Sequence, residues 1–190
     1  MKILPWIAAL VFICPSILLS EDNRIQPKVG LPLFLKIITY DESFNTGGFE
    51  KITIYVIYDR SIDLSYEDYL EIEEFFRIHP DINVDGIEVR VRGVQIKSIR
   101  EISDKISDRD YSLLLVTNIA ENQVRKIAEF ARGSRLHSYS LNADFVPMGI
   151  TIGVKPDSQN GSIKVNLLSA RLEGSKYSAR LLKMCDIIEE

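Results

Sequence analysis

Two histidines, two cysteines and one tryptophan are all that 190 residues hold of those types, and no excess of positive charge accompanies them. Each scarcity excludes something. A nucleophile needs a base within reach, and near neutral pH that base is most often histidine. Only His79 and His137 exist, one before Pro80 at a helix end and one in a polar stretch. No Gly-x-Ser-x-Gly elbow surrounds a serine. A zinc site wants several convergent ligands, and His79 with Asp81 and Asp85 reads instead as a solvated turn. Gly149-Ile-Thr-Ile-Gly153 lies in a strand pattern and opens no helix, so it is no phosphate loop. A formal net charge of −4 argues against nucleic acid, whose binders present a basic face. No catalytic, cofactor-binding or metal-ligating residue is assigned.

Only one long apolar run exists, and it opens the chain. Residues 1–20 hold a single Lys2, then an apolar stretch broken by Pro5 and Pro15, with Glu21-Asp22 next. This is the pattern of a secretory signal with Ser20 at the cut, so the mature protein is expected to be soluble and exported. Residues 21–190 then suffice for one well-buried domain. Cys14 leaves with the signal, so Cys185 has no partner for an internal disulfide. Its place on an apolar helical face reads as a packed core thiol.

The rest alternates helices and strands. Gly30–Thr39 reads as a helix with Pro32 in its first turn, and Tyr40–Gly48 as a polar loop. Lys51–Tyr58 is β-branched and aromatic, apolar on both faces like a central strand. Ser65 is placed to cap a helix through Ile78, with Tyr69, Ile72, Phe75 and Phe76 on its buried side. Ile87–Arg92 alternates as a strand with one wet face, and Ser98–Ile106 is a short, weak helix. Tyr111–Thr117 reads as a buried parallel strand. The helix Glu121–Arg132 is stopped by Gly133, and Arg135–Leu141 reads as another strand. Arg125, Lys126, Arg132 and Arg135 form one modest basic cluster, which either complements an acidic partner or, for the first two, pairs with Glu121 and Glu129 at helical spacing. Gly149–Val154 and Ser162–Leu167 flank a stretch dense in turn formers, giving a hairpin. The order implies one α/β domain, a mostly parallel sheet with helices on both faces, closed by a C-terminal hairpin and two short helices.

The last thirty residues are the most distinctive. Ile163, Val165 and Leu167 alternate with polar neighbours as a half-buried strand does. Asn166 can cap a helix from Leu167, and Gly174 can end it in the left-handed conformation. Ser178 opens a second helix with Tyr177 and Leu182 spaced as a hydrophobic staple. Leu181, Leu182, Cys185 and Ile188 then share one helical face. This ending resembles the closing segment of the YfiR-like family of bacterial periplasmic regulators. Leu31-Pro-Leu-Phe-Leu-Lys-Ile-Ile-Thr-Tyr-Asp41 resembles a branch of that family in which a helix precedes the first strand. Asp110-Tyr-Ser-Leu-Leu-Leu-Val-Thr117 is similar to its hydrophobic strand before the third helix.

The resemblance implies a small periplasmic α/β domain over residues 21–190, without enzymatic activity. Its partner would be the periplasmic region of an inner-membrane diguanylate cyclase, held inactive until stress or redox change raises cyclic di-GMP and biofilm formation. Related domains accompany sensor kinases, and a homodimer is a further option. The family's disulfides are missing here, so its redox control does not carry over. Its aromatic-Trp-Pro motif is replaced by Lys36-Ile-Ile-Thr-Tyr40. Asn166, Ser178 and Arg180 match the family pattern, and Asn166 and Arg180 are candidate partner contacts beside their roles as cap and surface charge. The alternative is a small-ligand sensor using the crevice at the carboxyl ends of the strands, near Tyr58-Asp59 and Thr117-Asn118.

Overall fold

The computed structural model describes residues 24–107, 109–156 and 162–189; the signal-like stretch 1–20 and the tip of the hairpin lie outside them. Helix α1 (Pro27–Ile38) begins three residues earlier than the spacing predicts, because Pro27 fits the first turn. Pro32 therefore sits inside the helix, where burial of Leu31, Phe34, Ile37 and Ile38 offsets its lost amide. The expected polar loop is helix α2 (Glu42–Gly47): the Asp41 side chain accepts from Ser43 N, and Gly48 ends it at φ 64°.

Strand β1 (Lys51–Tyr58) is buried from Ile52 to Ile57, as its two apolar faces require. Helix α3 (Asp63–Ile78) starts two residues before Ser65, so Ser65 is no cap and turns inward instead. Strands β2 (Asn83–Val84) and β3 (Ile87–Gln95) lead into a 3-10 helix at Ile96–Lys105, bent at Ser98. Strand β4 (Asp110–Val116) is buried almost throughout. Helix α4 (Glu121–Ser134) buries Val124, Ile127, Ala128 and Ala131, one apolar stripe. It runs past Gly133 and is ended by Arg135 in the left-handed region at φ 51°. No Glu121 or Glu129 ion pair with Arg125 or Lys126 forms among the described residues.

The chain continues through strand β5 (His137–Ser140), a second 3-10 helix (Ala143–Met148) and the hairpin of β6 (Ile152–Lys155) and β7 (Ser162–Asn166). Gly153 is required there: a Cβ would lie 2.8 Å from the Ala143 Cα and 2.6 Å from Val146 Cγ2. Helix α5 (Leu167–Glu173) has Asn166 as its cap, accepting from Ser169 N, and Gly174 at φ 91° as its end. Helix α6 is only Ala179–Leu182, capped by Ser178.

The C-terminus departs from its helical spacing. Cys185–Ile188 is strand β8, lying parallel to β7 with Ile163 opposite Cys185 and Val165 opposite Ile187. The open edge of β7 offers ladder partners that further turns of a four-residue helix cannot match. Cys185 is consequently half-buried, packed against the margin of the core with its thiol donating to Leu181 O.

The eight strands form one sheet in the order β2-β3-β1-β4-β5-β6-β7-β8. Strands β3, β1, β4, β5 and β6 run parallel, β2 is antiparallel to β3, and β7 is antiparallel to β6. Ile52, Ile54 and Val56 point into a core layer with α1, Phe44 of α2 and Ile72 of α3. Tyr55 and Ile57 point into a second layer with Ile102 and α4. The molecule is an α/β domain with helices on both faces.

Candidate functional site

Strand order reverses between β1 and β4, because the chain steps from β1 outward to β3 and then back across to β4. A crevice at the carboxyl ends of two such strands is where open α/β sheets take ligands. Here it is closed from within. The Thr117 hydroxyl donates to Ile57 O at 3.0 Å and meets the Ser65 hydroxyl at 2.7 Å. Ser65 Oγ also accepts from Asp59 N. Asp68, fully buried, accepts from the Arg24 guanidinium and from Asn118 N. Burial pushes its carboxyl up, against the pull of Arg24 and the Asn118 amide. Residues 24–25 run across the strand ends as a strap, with Ile25 N donating to Leu141 O and Arg24 bridged to Asn142.

Tyr58 and Asp59 lie just beside this lock. The Tyr58 ring stacks on Tyr69 at 4.1 Å, Tyr66 joins them, and the Arg60 guanidinium lies 5.3 Å from the Tyr66 ring. Asp59 Oδ1 accepts from Ser61 N and Ser61 Oγ, which holds its pKa below the usual carboxylate range. Tyr58, Asp59, Gln95 and Lys97 line a shallow pocket of about 230 Å³. The structure therefore joins Tyr58 with Asp59 on an open surface and seals Thr117 inside, with Asn118 half-exposed. Asn166 and Arg180 are elsewhere. Asn166 is buried, and beyond its capping bond its amide donates to Val146 O. Arg180 is exposed on α6, with its guanidinium 6.0 Å from the Tyr40 ring.

The amino ends of the strands hold a polar cluster that sequence reasoning missed. Asp41 is fully buried and accepts from Ser43 N, Ser43 Oγ, Lys176 N and Tyr111 OH, at 2.7–3.0 Å. His137 stacks on Tyr111 with centroids 4.4 Å apart, and its Nδ1 lies 2.5 Å from Ser175 Oγ and 3.7 Å from Asp41. Serine, histidine and aspartate are thus together, but in the wrong arrangement. A relay needs the acid on one ring nitrogen and the nucleophile on the other, whereas both face Nδ1 here. Ser175 is also buried. Burial lowers the His137 pKa to about 4 despite Asp41, so the ring is neutral near pH 7. The cluster docks the corner before α2 onto the loop after α5, where Glu42 N donates to Lys176 O and Ser178 N to Tyr40 O. A short-range signal for Asp41 did exist: an aspartate two residues before a serine at a helix start is a cap pattern.

Glu173 is a second buried acid without a signal. It accepts from Ser138 N, Ser138 Oγ and Thr151 Oγ1 at 2.6–2.8 Å. Burial raises its pKa to about 8, opposed by these donors and by Arg132. Among the described residues no cluster of His, Cys, Asp and Glu gathers as a metal site. No helix among them is long and apolar enough to cross a membrane.

No protein-family model matches the chain, and no curated protein matches it. Solved structures do. The ABC domain in complex with L-Trp from Streptococcus pneumoniae superposes with a TM-score of 0.55 at 15% identity, over 81% of this chain and 59% of that one. The ligand-free, open structure of CD0873, a substrate binding protein with adhesive properties from Clostridium difficile, gives 0.50 at 13% identity, over 77% and 57%. A conserved domain protein from Vibrio cholerae O1 biovar El Tor gives 0.56 at 10% identity, over 87% and 60%. The chain spans about three fifths of the length of these structures. What it shares with them is the α/β fold.

Proposed function

We propose that this chain is an exported binding domain without enzymatic activity, acting on the periplasmic region of an inner-membrane signalling protein of the diguanylate cyclase type. The YfiR-like resemblance and the signal-like residues 1–20 motivate the partner and the compartment. The observation that carries a binding role is where apolar surface is left uncovered. Leu168 and Leu172 on α5, with Met184 and Ile187 at β8, are each 45–56% exposed, so four of the seven large apolar side chains exposed among the described residues belong to the C-terminal unit, the others being Val29, Leu70 and Ile78. Leu168 and Leu172 lie one turn apart on α5, and contiguous exposed apolar surface marks interaction sites. The buried acids and His137, by contrast, are spent on internal bonds. Redox control through Cys185 is not part of the proposal: burial, and then Asp186, raise its pKa to about 11, which keeps the thiol protonated and unreactive.

Photo-crosslinkers at Leu172 and Ile187 test this surface in intact cells. A single inner-membrane signalling protein should be captured there and not from crosslinkers on the distant β2–β3 turn. Equal capture from both positions, or none, counts against the reading.

A second reading, a small-ligand sensor, is favoured by the fold shared with a domain in complex with L-Trp and with a substrate binding protein.

A further inference from the structure

We infer that the groove between the 3-10 helix Ile96–Lys105 and α4 binds a small organic anion with an apolar body. The inference rests on the small-ligand reading and moves the site away from the crevice that Thr117, Asp68 and Arg24 close. The groove encloses about 500 Å³, inside the range of roughly 300–1,000 Å³ usual for small-molecule sites. It exists because of a local choice of structure. The crossover from β3 to β4 is a 3-10 helix bent at Ser98, not an α-helix laid along α4, and one flank of α4 is left uncovered.

Ile96, Ile99, Ile127 and Phe130 make the floor. Ile127 belongs to the core, while Phe130, Ile96 and Ile99 are half-buried, so the floor is continuous with the apolar layer beneath the sheet. Above it stand Lys97 and Arg100 from the 3-10 helix and Lys126 from α4, all exposed. Glu129 is the acid among the lining residues, leaving the rim net positive. Among the described residues none of the three cations forms an ion pair: Glu101 is taken by Lys105. Cations on opposite walls over an apolar floor suit a carboxylate head and a hydrocarbon or aryl body, with Arg100 offering a two-toothed grip. Lys97 and Ile96 also line the pocket beside Tyr58 and Asp59, so the groove opens toward the carboxyl ends of β1 and β3.

Calorimetric titration of the full chain tests this with decanoate and decyltrimethylammonium, both below their micellar concentrations. Decanoate should bind saturably at one site, and the matched cation should not. The triple variant Lys97→Glu, Arg100→Glu, Lys126→Glu should weaken decanoate binding about tenfold, with its circular dichroism and melting temperature unchanged. A second variant, Lys97→Gln with Lys126→Gln, should fall between the two. Equal binding of the cation, or undiminished decanoate binding by the charge-reversed protein, overturns the inference. So does an absence of decanoate binding by the unaltered chain at millimolar concentration. If other small molecules still raise the melting temperature in that case, the sensor reading survives without this groove.

Discussion

Glu173 ends α5 with its carboxyl enclosed by Ser138 and Thr151, and burial lifts its pKa to about 8. Its folded pKa lies above the unfolded value of roughly 4.3. The stability it contributes is therefore complete below that value and is lost as pH rises through about 8. His137 runs the opposite way. Its folded pKa of about 4 lies below an unfolded value near 6.5, so its contribution is present above about pH 6.5 and lost as pH falls through 4. Between pH 6.5 and 8 only the Glu173 slope remains of the two. Urea unfolding should show stability falling across that window, by at most about 1.4 kcal/mol per pH unit. Glu173→Gln keeps the shape and removes the titration, so it should flatten the slope; an unchanged slope would mean that another group causes it. Neither residue was legible in the sequence, because their partners are remote. Ser138 lies 35 residues from Glu173, and Ser175 lies 38 from His137. Asn166, Gly174 and Ser178 were legible, because a cap and the amides it satisfies lie within one turn.

Among the elements, β1, β4 and the β6–β7 hairpin announce themselves through apolar runs and turn formers, which are local properties. The C-terminal strand does not. Leu181, Leu182, Cys185 and Ile188 have helical spacing, yet β7 supplies an edge that only a strand can pair. Helix α2 was hidden for a related reason: its single buried residue is Phe44, whose partners Phe49 and Tyr111 come from elsewhere. Because β8 pairs along β7, ending the chain at Met184 uncovers the edge of β7. Urea unfolding of that variant should report a loss of about 1–3 kcal/mol. Sedimentation should show concentration-dependent self-association, since an open edge invites pairing. A truncated chain that stays as stable and as monomeric as the full one would mean that β8 contributes no pairing.

At the scale of the molecule, the sheet's usual ligand crevice is closed by the chain's own strap, and open features lie to either side of it. One is the groove beside α4; the other is the apolar exposure of the C-terminal unit. Fold logic alone places a ligand site at the strand ends. It has no means to see Arg24 meeting Asp68, because that contact joins residues 44 apart. The family-like ending was legible, and the proposal of a regulator that works by contact rests on it. Cellular cyclic di-GMP is the decisive readout, compared between a strain carrying the protein, a strain lacking it and the complemented deletion. Deletion should raise it, complementation should reverse the rise, and a Leu172→Asp, Ile187→Asp protein should fail to reverse it. An unchanged level in the deletion strain would refute a regulator of that cyclase type.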